Sequence, residues 1–393
     1  MKIIFIETER FEKYPPSISV LNALSEINGI ELHVIALEPS NYLKELCQIN
    51  RIKLHNIGGK QLSGPDKKIF ILRKIFLFFK NRKLLWNLIG KIYTNEDLLW
   101  IHSLITLKQL GKKILSTRYI FHVYELLKEA RINYRLPYPK IDLNTYYNRA
   151  YKVIECEYNR AQIIKAWFDL KKTPAVIPNK LYLRQKSNTS LINIENNIIS
   201  SNIRKLMNSI KNKKIILFQG GLGPERPINK FIEAVGQLGN EYAMLVMTSS
   251  KYEYDITPNN LYLCQFIPAP YHLAITKMAY IGILCYKASK KGYGIYDTLN
   301  SIYCAPNKLY EYSEFGLPMI GNDIPGLTYT IEQYNMGVCV DETDTDSIKQ
   351  GIITIEKNYN LMKENSKKFY NDVDIKMIIQ NEILKNKGDN KQL

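Results

Sequence analysis

No apolar run in the chain reaches the roughly 18–20 uncharged residues that a membrane-spanning helix needs. The six cysteines, at 47, 156, 264, 285, 304 and 339, include no Cys-x-x-Cys pair. That spacing offers neither a zinc frame nor a disulfide scaffold and suits reduced thiols in a cytoplasmic protein. The opening residues Met1 to Glu7 read as one short strand ended by an acid, too short for the apolar region of a signal peptide. The loop after that strand lacks Gly-x-Gly-x-x-Gly, so it carries no dinucleotide fingerprint.

What is present suits a globular protein of two domains: 393 residues, 46% of them hydrophobic. The net charge of +17 is unevenly spread. Residues 1–185 hold 31 Lys and Arg against 16 Asp and Glu, a balance of +15; residues 186–393 hold 23 against 21, a balance of +2. The basic first half predicts an anionic partner, nucleic acid or a membrane surface.

Short apolar runs at 2–6, 31–36, 52–57, 98–101, 119–123, 152–155 and 175–177 alternate with helical patterns, as in parallel α/β folds. Ser17 is placed to cap a helix running to about residue 26. Ligands of such sheets bind beyond the carboxyl ends of the strands, which puts the loop 8–19, His102 and the turn 122–125 on one rim. A lone histidine after a strand is most often structural. A polar stretch, 186–212, predicts a linker between the domains, its isoleucines suggesting a helix within it. The second half repeats the pattern, with strands expected at 214–218, 243–248, 261–264 and 281–286 and a closing helical region over 361–387.

Residues 67–93 carry eight basic groups and no acid, with Trp86 and several phenylalanines among them at roughly helical spacing. The composition fits a helix lying in an anionic membrane interface. The alternative is a helix that packs on its own domain and leaves its basic face solvated. Nucleic acid is not expected as partner, because no recognised binding module accompanies the charge.

Two stretches of the second half carry chemistry. In Gln219-Gly220-Gly221-Leu222-Gly223-Pro224-Glu225-Arg226-Pro227, glycines precede a helix expected at 228–238. Such a turn lets backbone N–H groups approach a phosphate, and Arg226 adds a planar fork matched to its oxygens. Further on, Pro306 and Asn307 signal a helix start, and Gly316 a stop before the apolar Leu317-Pro318-Met319-Ile320. The short helix between them puts Lys308 and Glu311 on one face, which is ordinarily a solvated ion pair. Asp344-Thr345-Asp346 reads as a helix start with acids at its N-terminus, and no metal site is expected.

The wording from Pro306 to Tyr312, followed by Gly316-Leu317-Pro318, resembles the donor-site signature of GT-B nucleotide-sugar glycosyltransferases. The resemblance implies two Rossmann-like domains facing a cleft and a terminal helix crossing back to the first. The boundaries expected are 1–185 for the acceptor-binding domain, 186–212 for the linker, 213–360 for the donor-binding domain and 361–393 for the helical end. It implies that Glu311 accepts hydrogen bonds from the donor ribose, that Arg226 and Lys308 neutralise the leaving diphosphate, that Gly221 and Asn307 also belong to the donor site, and that neither metal nor cofactor is bound. His102 and the turn from His122 to Glu125 are similar to the acceptor-side pattern, which makes His102 and Glu125 catalytic candidates. The family's retaining members carry a second glutamate that falls here at Tyr303, so the stereochemistry stays open. The function expected is transfer of a sugar from a nucleotide-diphosphate sugar to a lipid-linked or polysaccharide acceptor. The enzyme would work at the cytoplasmic membrane face, docked through residues 67–93. The alternatives are a nucleotide-sugar epimerase of the same fold and an inactive partner subunit of a glycosyltransferase.

Overall fold

The computed structural model describes residues 1–11, 14–58, 71–128, 141–182, 200–288 and 298–385. The chain divides into two compact units. The first holds Met1–Pro178 and the chain from Asp374 onward, and the second holds Asn179–Tyr293 and Thr298–Val373. Residues 67–70 of the basic stretch and 186–199 of the expected linker lie outside the described residues, as does Lys290-Lys291-Gly292-Tyr293-Gly294, a glycine- and lysine-rich run that reads in the sequence as a loop beside the expected donor site.

Each unit is built on a parallel sheet. In the first, β1 (Lys2–Glu7), β2 (Glu31–Ala36), β3 (Lys53–Asn56), β4 (Leu98–Ile101), β5 (Tyr119–His122), β6 (Lys152–Glu155) and β7 (Ala175–Val176) lie in the order β3-β2-β1-β4-β5-β6-β7. In the second, β8 (Lys214–Gln219), β9 (Tyr242–Thr248), β10 (Leu261–Gln265), β11 (Ile281–Leu284), β12 (Met319–Asn322) and β13 (Gly337–Val340) lie in the order β10-β9-β8-β11-β12-β13. Both orders reverse beside the unit's first strand, between β1 and β4 and between β8 and β11. These are the switch points where doubly wound sheets open a crevice for ligands.

The inner strands are apolar on both faces because helices cover both sides, whereas the edge strands β3 and β10 are partly polar and exposed. Along β8, Ile215 and Leu217 enter one core while Ile216 and Phe218 enter the other. The two-residue period of a strand divides them in this way. The helix Asn229–Gln237 after β8 buries Phe231, Ile232, Ala234 and Val235 on the second of these cores.

Several local expectations are corrected. The first helix starts earlier, at Pro15, and Ser17 caps nothing: it is buried within that helix, 2.7 Å from the Tyr124 hydroxyl. Asn307 is the first residue of its helix rather than the cap, a place taken by Pro306. The end of that helix follows the expected chemistry. Gly316 adopts φ 68°, its N–H donates to Ser313 O and that of Leu317 to Tyr312 O, which is the Schellman arrangement. Asp344 caps the helix Thr345–Lys357, accepting from the N–H groups of Asp346 and Ser347. The helical end breaks after the helix Tyr359–Asn371, and from Asp374 the chain packs on the first unit, where Lys376 pairs with Glu26 at 3.8 Å.

The basic stretch forms the helix Ile71–Ile92. Leu77, Phe78, Leu85 and Ile89 are buried, so this side of the helix packs on the first unit's own core. Arg82 and Trp86 also serve the fold. Arg82 donates to the carbonyls of Lys108 and Gln109, and Trp86 Nε1 donates to Leu110 O. Together they close the last carbonyls of the helix Leu104–Leu110. Leu72, Phe76 and Phe79 remain 79%, 65% and 57% exposed, and Arg73, Lys80 and Lys83 are exposed around them.

Candidate functional site

The second unit's switch point gathers its polar and charged groups from four separate stretches of chain. β8 delivers Gln219 and the turn that follows, where Gly220 takes φ 138°, a conformation open to glycine but not to residues with a Cβ. The turn is crowded by two long cationic side chains. A Cβ at Gly220 would lie 3.3 Å from Lys308 Nζ, and one at Gly221 3.4 Å from an Arg226 nitrogen. Arg226 and Lys308 therefore converge on the glycine turn, and both cations stand 5.6 Å from the centroid of the same half-buried ring, Tyr286, which follows β11. Asn322 holds the Tyr286 backbone at both its N–H and its carbonyl.

Neither cation forms an ion pair within 4 Å among the described residues. Burial, and then the charge of Arg226, pull the Lys308 ammonium down to about 8, against an opposing pull from Glu311. Two positive groups held near each other without a counter-ion define a place for an anion. The glycine turn adds backbone that a phosphate can approach.

Glu311, one turn beyond Lys308, is a buried carboxylate with asymmetric surroundings. Its Oε2 accepts from Gln219 Nε2 at 2.6 Å and lies 3.3 Å from His272 Nε2, whereas its Oε1 accepts no hydrogen bond from the described residues. Burial alone would raise its carboxyl. The charge and hydrogen bond of His272, the charge of Lys308 and the hydrogen bond of Gln219 together bring it below the ordinary carboxylate value. Glu311 thus stays an anion with one oxygen open. Asn307, at the head of the same helix, is half-buried. Tyr303 is half-buried too, and Gly326 closes on the backbone behind it, where a Cβ would lie 2.6 Å from the Cys304 nitrogen.

At the first unit's switch point the chemistry turns inward. His102 follows β4 and is 3% exposed, its Nε2 2.8 Å from Oε2 of Glu7, the last residue of β1. Glu7 Oε1 accepts from the Glu9 N–H and from the hydroxyls of Thr106 and Ser103. Burial pushes the Glu7 carboxyl up, and the imidazole and these donors pull it back below its usual value. Phe11, Tyr14 and Tyr124 enclose the His102 ring, with centroids at 5.3, 5.2 and 5.8 Å. Glu125, in the turn after β5, is exposed.

Sequence reasoning missed Glu7, Gln219, His272 and Tyr286. Glu7 and Gln219 had a usable signal: each is the single polar residue ending an apolar strand at a switch point. His272 and Tyr286 had none.

No protein-family model and no curated protein sequence matches the chain. Solved structures do. A glycosyltransferase from Rickettsia africae aligns over 98% of this chain and 99% of its own, with a TM-score of 0.62 and 15% identity. Anabaena HepE in complex with UDP and glucose aligns over 97% of both chains, at 0.60 and 12%. A UDP-GlcNAc 2-epimerase from Neisseria meningitidis, bound to UDP-GlcNAc, aligns over 98% of this chain and 100% of its own, at 0.57 and 11%. The chain has the GT-B fold: two Rossmann-like domains, here with the C-terminal segment returning to the first.

Proposed function

We propose that this protein is a nucleotide-sugar glycosyltransferase. The observation that carries the reading is the juxtaposition, at one switch point, of an open carboxylate oxygen on Glu311 and two cations, Arg226 and Lys308, over a glycine turn. A nucleoside diphosphate offers complementary chemistry in the same order, ribose hydroxyls and then two phosphates. In the reaction, an acceptor hydroxyl oxygen bonds to the anomeric carbon while the diphosphate leaves with the electron pair of its C–O bond. The acceptor proton passes to a base. Arg226 and Lys308 offset the charge that grows on the leaving group, a role a divalent metal fills in other transferases. On the acceptor side, exposed Glu125 is the group proposed to meet the acceptor hydroxyl, and His102, held by Glu7, is proposed to join it only when the rings of Tyr14 and Tyr124 part over it.

The acceptor we propose is lipid-linked or polysaccharide, met at the cytoplasmic membrane face. The support is the helix Ile71–Ile92, where Leu72, Phe76 and Phe79 recur at i, i+4 and i+7 in the open among Arg73, Lys80 and Lys83. Among the described residues no helix is long and apolar enough to cross a membrane. A peripheral docking on anionic lipid fits that face.

The deciding experiment is a screen of nucleotide sugars for protection against thermal unfolding, followed by product analysis. Transfer or donor hydrolysis supports the reading. Conversion of the sugar to its epimer assigns the chain to the epimerases that share its fold. Absence of binding to every nucleotide sugar overturns it in favour of an inactive partner subunit.

A further inference from the structure

We propose that His272 is a positioning residue for Glu311: it anchors Oε2, together with Gln219, so that Oε1 alone is presented to the two hydroxyls of a donor ribose. The inference rests on the reading of Glu311 as the ribose acceptor.

The terminal torsion of a glutamate is broad and two-fold, so a buried carboxylate holds a direction only if its neighbours fix one oxygen. Here two donors converge on the same one, Gln219 Nε2 at 2.6 Å and His272 Nε2 at 3.3 Å. The amide of Gln219 is itself oriented, because the Thr276 hydroxyl donates to its Oε1 at 2.8 Å. Its nitrogen must therefore face Glu311. His272 and Thr276 are four residues apart on one short helical turn and so lie on one face of it. A single turn thus supplies both the direct donor and the group that aims the other donor. The second ring nitrogen of His272, Nδ1, is buried without a hydrogen-bond partner, so Glu311 is the one acceptor the ring serves among the described residues.

His272 also bears on a second acid. Glu314 lies a turn beyond Glu311; burial and then the Glu311 charge raise its carboxyl to about 7, while Lys180 and His272 oppose that rise. Without the imidazole, less charge would offset the repulsion between the Glu311 and Glu314 carboxyls.

The test compares uridine and guanosine diphosphates with their 2′,3′-dideoxy forms by calorimetry. Wild type should prefer the ribose form of whichever base it binds by roughly ten- to a hundredfold, the value of hydrogen bonds to a charged group. His272→Leu should reduce that preference to within about threefold while leaving affinity for the dideoxy form unchanged. His272→Gln, which keeps a donor, should recover most of it. A general loss of structure would weaken both forms alike, so the ratio isolates positioning. If His272→Leu does not fold, His272→Ala is read in the same way, with added imidazole expected to restore the ratio. A wild-type ratio in the Leu or Ala variant overturns the role of His272 and leaves Glu311 in place. A wild type without any ribose preference overturns the reading of Glu311, and this inference with it.

Discussion

The ring of Tyr312 lies so close against Gly282 that a Cβ at position 282 would stand 2.3 Å from its Cδ2. The Tyr312 hydroxyl reaches across the sheet to Leu217 O at 3.3 Å and Ile283 O at 3.4 Å. One side chain thus fixes the helix Asn307–Glu314 on β8 and β11, and Glu311 is its immediate neighbour in sequence. The height of the carboxylate over the switch point is set by a glycine in the strand beneath it.

Gly282→Ala should accordingly destabilise the protein by about 1–3 kcal/mol, the usual cost of overpacking a core that cannot move aside. Because the displaced ring carries the helix, nucleotide affinity should fall as well. Thermal unfolding and calorimetry on the same variant check both; unchanged stability would mean that the Tyr312 contact is slack.

Glu311→Gln should weaken nucleoside diphosphate binding by about 1–3 kcal/mol, through loss of charge-assisted hydrogen bonds, with the fold kept. Removing the charge opens no cavity on that helix face. Equal affinities for wild type and variant in calorimetry would take the residue out of the donor site.

Much of this was legible in the sequence because it is local. Apolar runs bounded by turns gave the strands, and the Pro306 start and Gly316 stop gave the helix that carries Lys308 and Glu311. The strand Gly337–Val340 escaped notice because its middle residues are half-exposed and it begins with glycine. The rest is non-local. Gln219 and Glu311 are 92 residues apart, and the short turn bearing His272 has no periodicity of its own. The basic stretch misled in a different way. Its charges read as one solvated or lipid-facing surface, yet Arg82 and Trp86 are spent on carbonyls at the end of a neighbouring helix, which no pattern of charge announces.

Donor affinity should depend on pH through Lys308. In the free protein its ammonium is held down to about 8 by burial and by Arg226. Below that value it is cationic and attracts the diphosphate. As pH rises through 8 the charge is lost, and binding must then take up a proton. Affinity should therefore be greatest below pH 8 and fall by up to about tenfold per unit above it. Lys308→Arg, whose guanidinium stays charged, should flatten the profile. Calorimetry from pH 6.5 to 9.5, in buffers of different ionisation enthalpy, reads both the affinity and the proton uptake; a flat wild-type profile would exclude Lys308 from the phosphate site.

If the proposed donor site is right, transfer activity should survive excess chelator, since the groups that meet over its glycine turn are the cations Arg226 and Lys308. Asp344, the acid of the Asp-x-Asp stretch nearest to a metal motif, is already engaged as a helix cap. Loss of activity on chelation, with recovery on adding manganese or magnesium, would assign the leaving-group charge to a metal instead.

The last prediction concerns the exposed face of the helix Ile71–Ile92. A helix that buries Leu77, Phe78, Leu85 and Ile89 has satisfied its own domain, yet Leu72, Phe76 and Phe79 remain in water beside Arg73, Lys80 and Lys83. Each basic group near an anionic surface contributes about 1 kcal/mol, and three apolar side chains entering the interface add a part that salt does not remove. Wild type should therefore co-sediment with vesicles containing anionic lipid, and more weakly but measurably at high salt. Replacing Arg73, Lys80 and Lys83 by Gln should release it at moderate salt, whereas Leu72→Ser, Phe76→Ser and Phe79→Ser together should abolish the salt-resistant fraction. Arg82 must be left alone, because its hydrogen bonds to Lys108 and Gln109 hold the fold and its loss would mimic release by unfolding. Wild type that stays in the supernatant at low salt would refute lipid docking and leave the face to another partner.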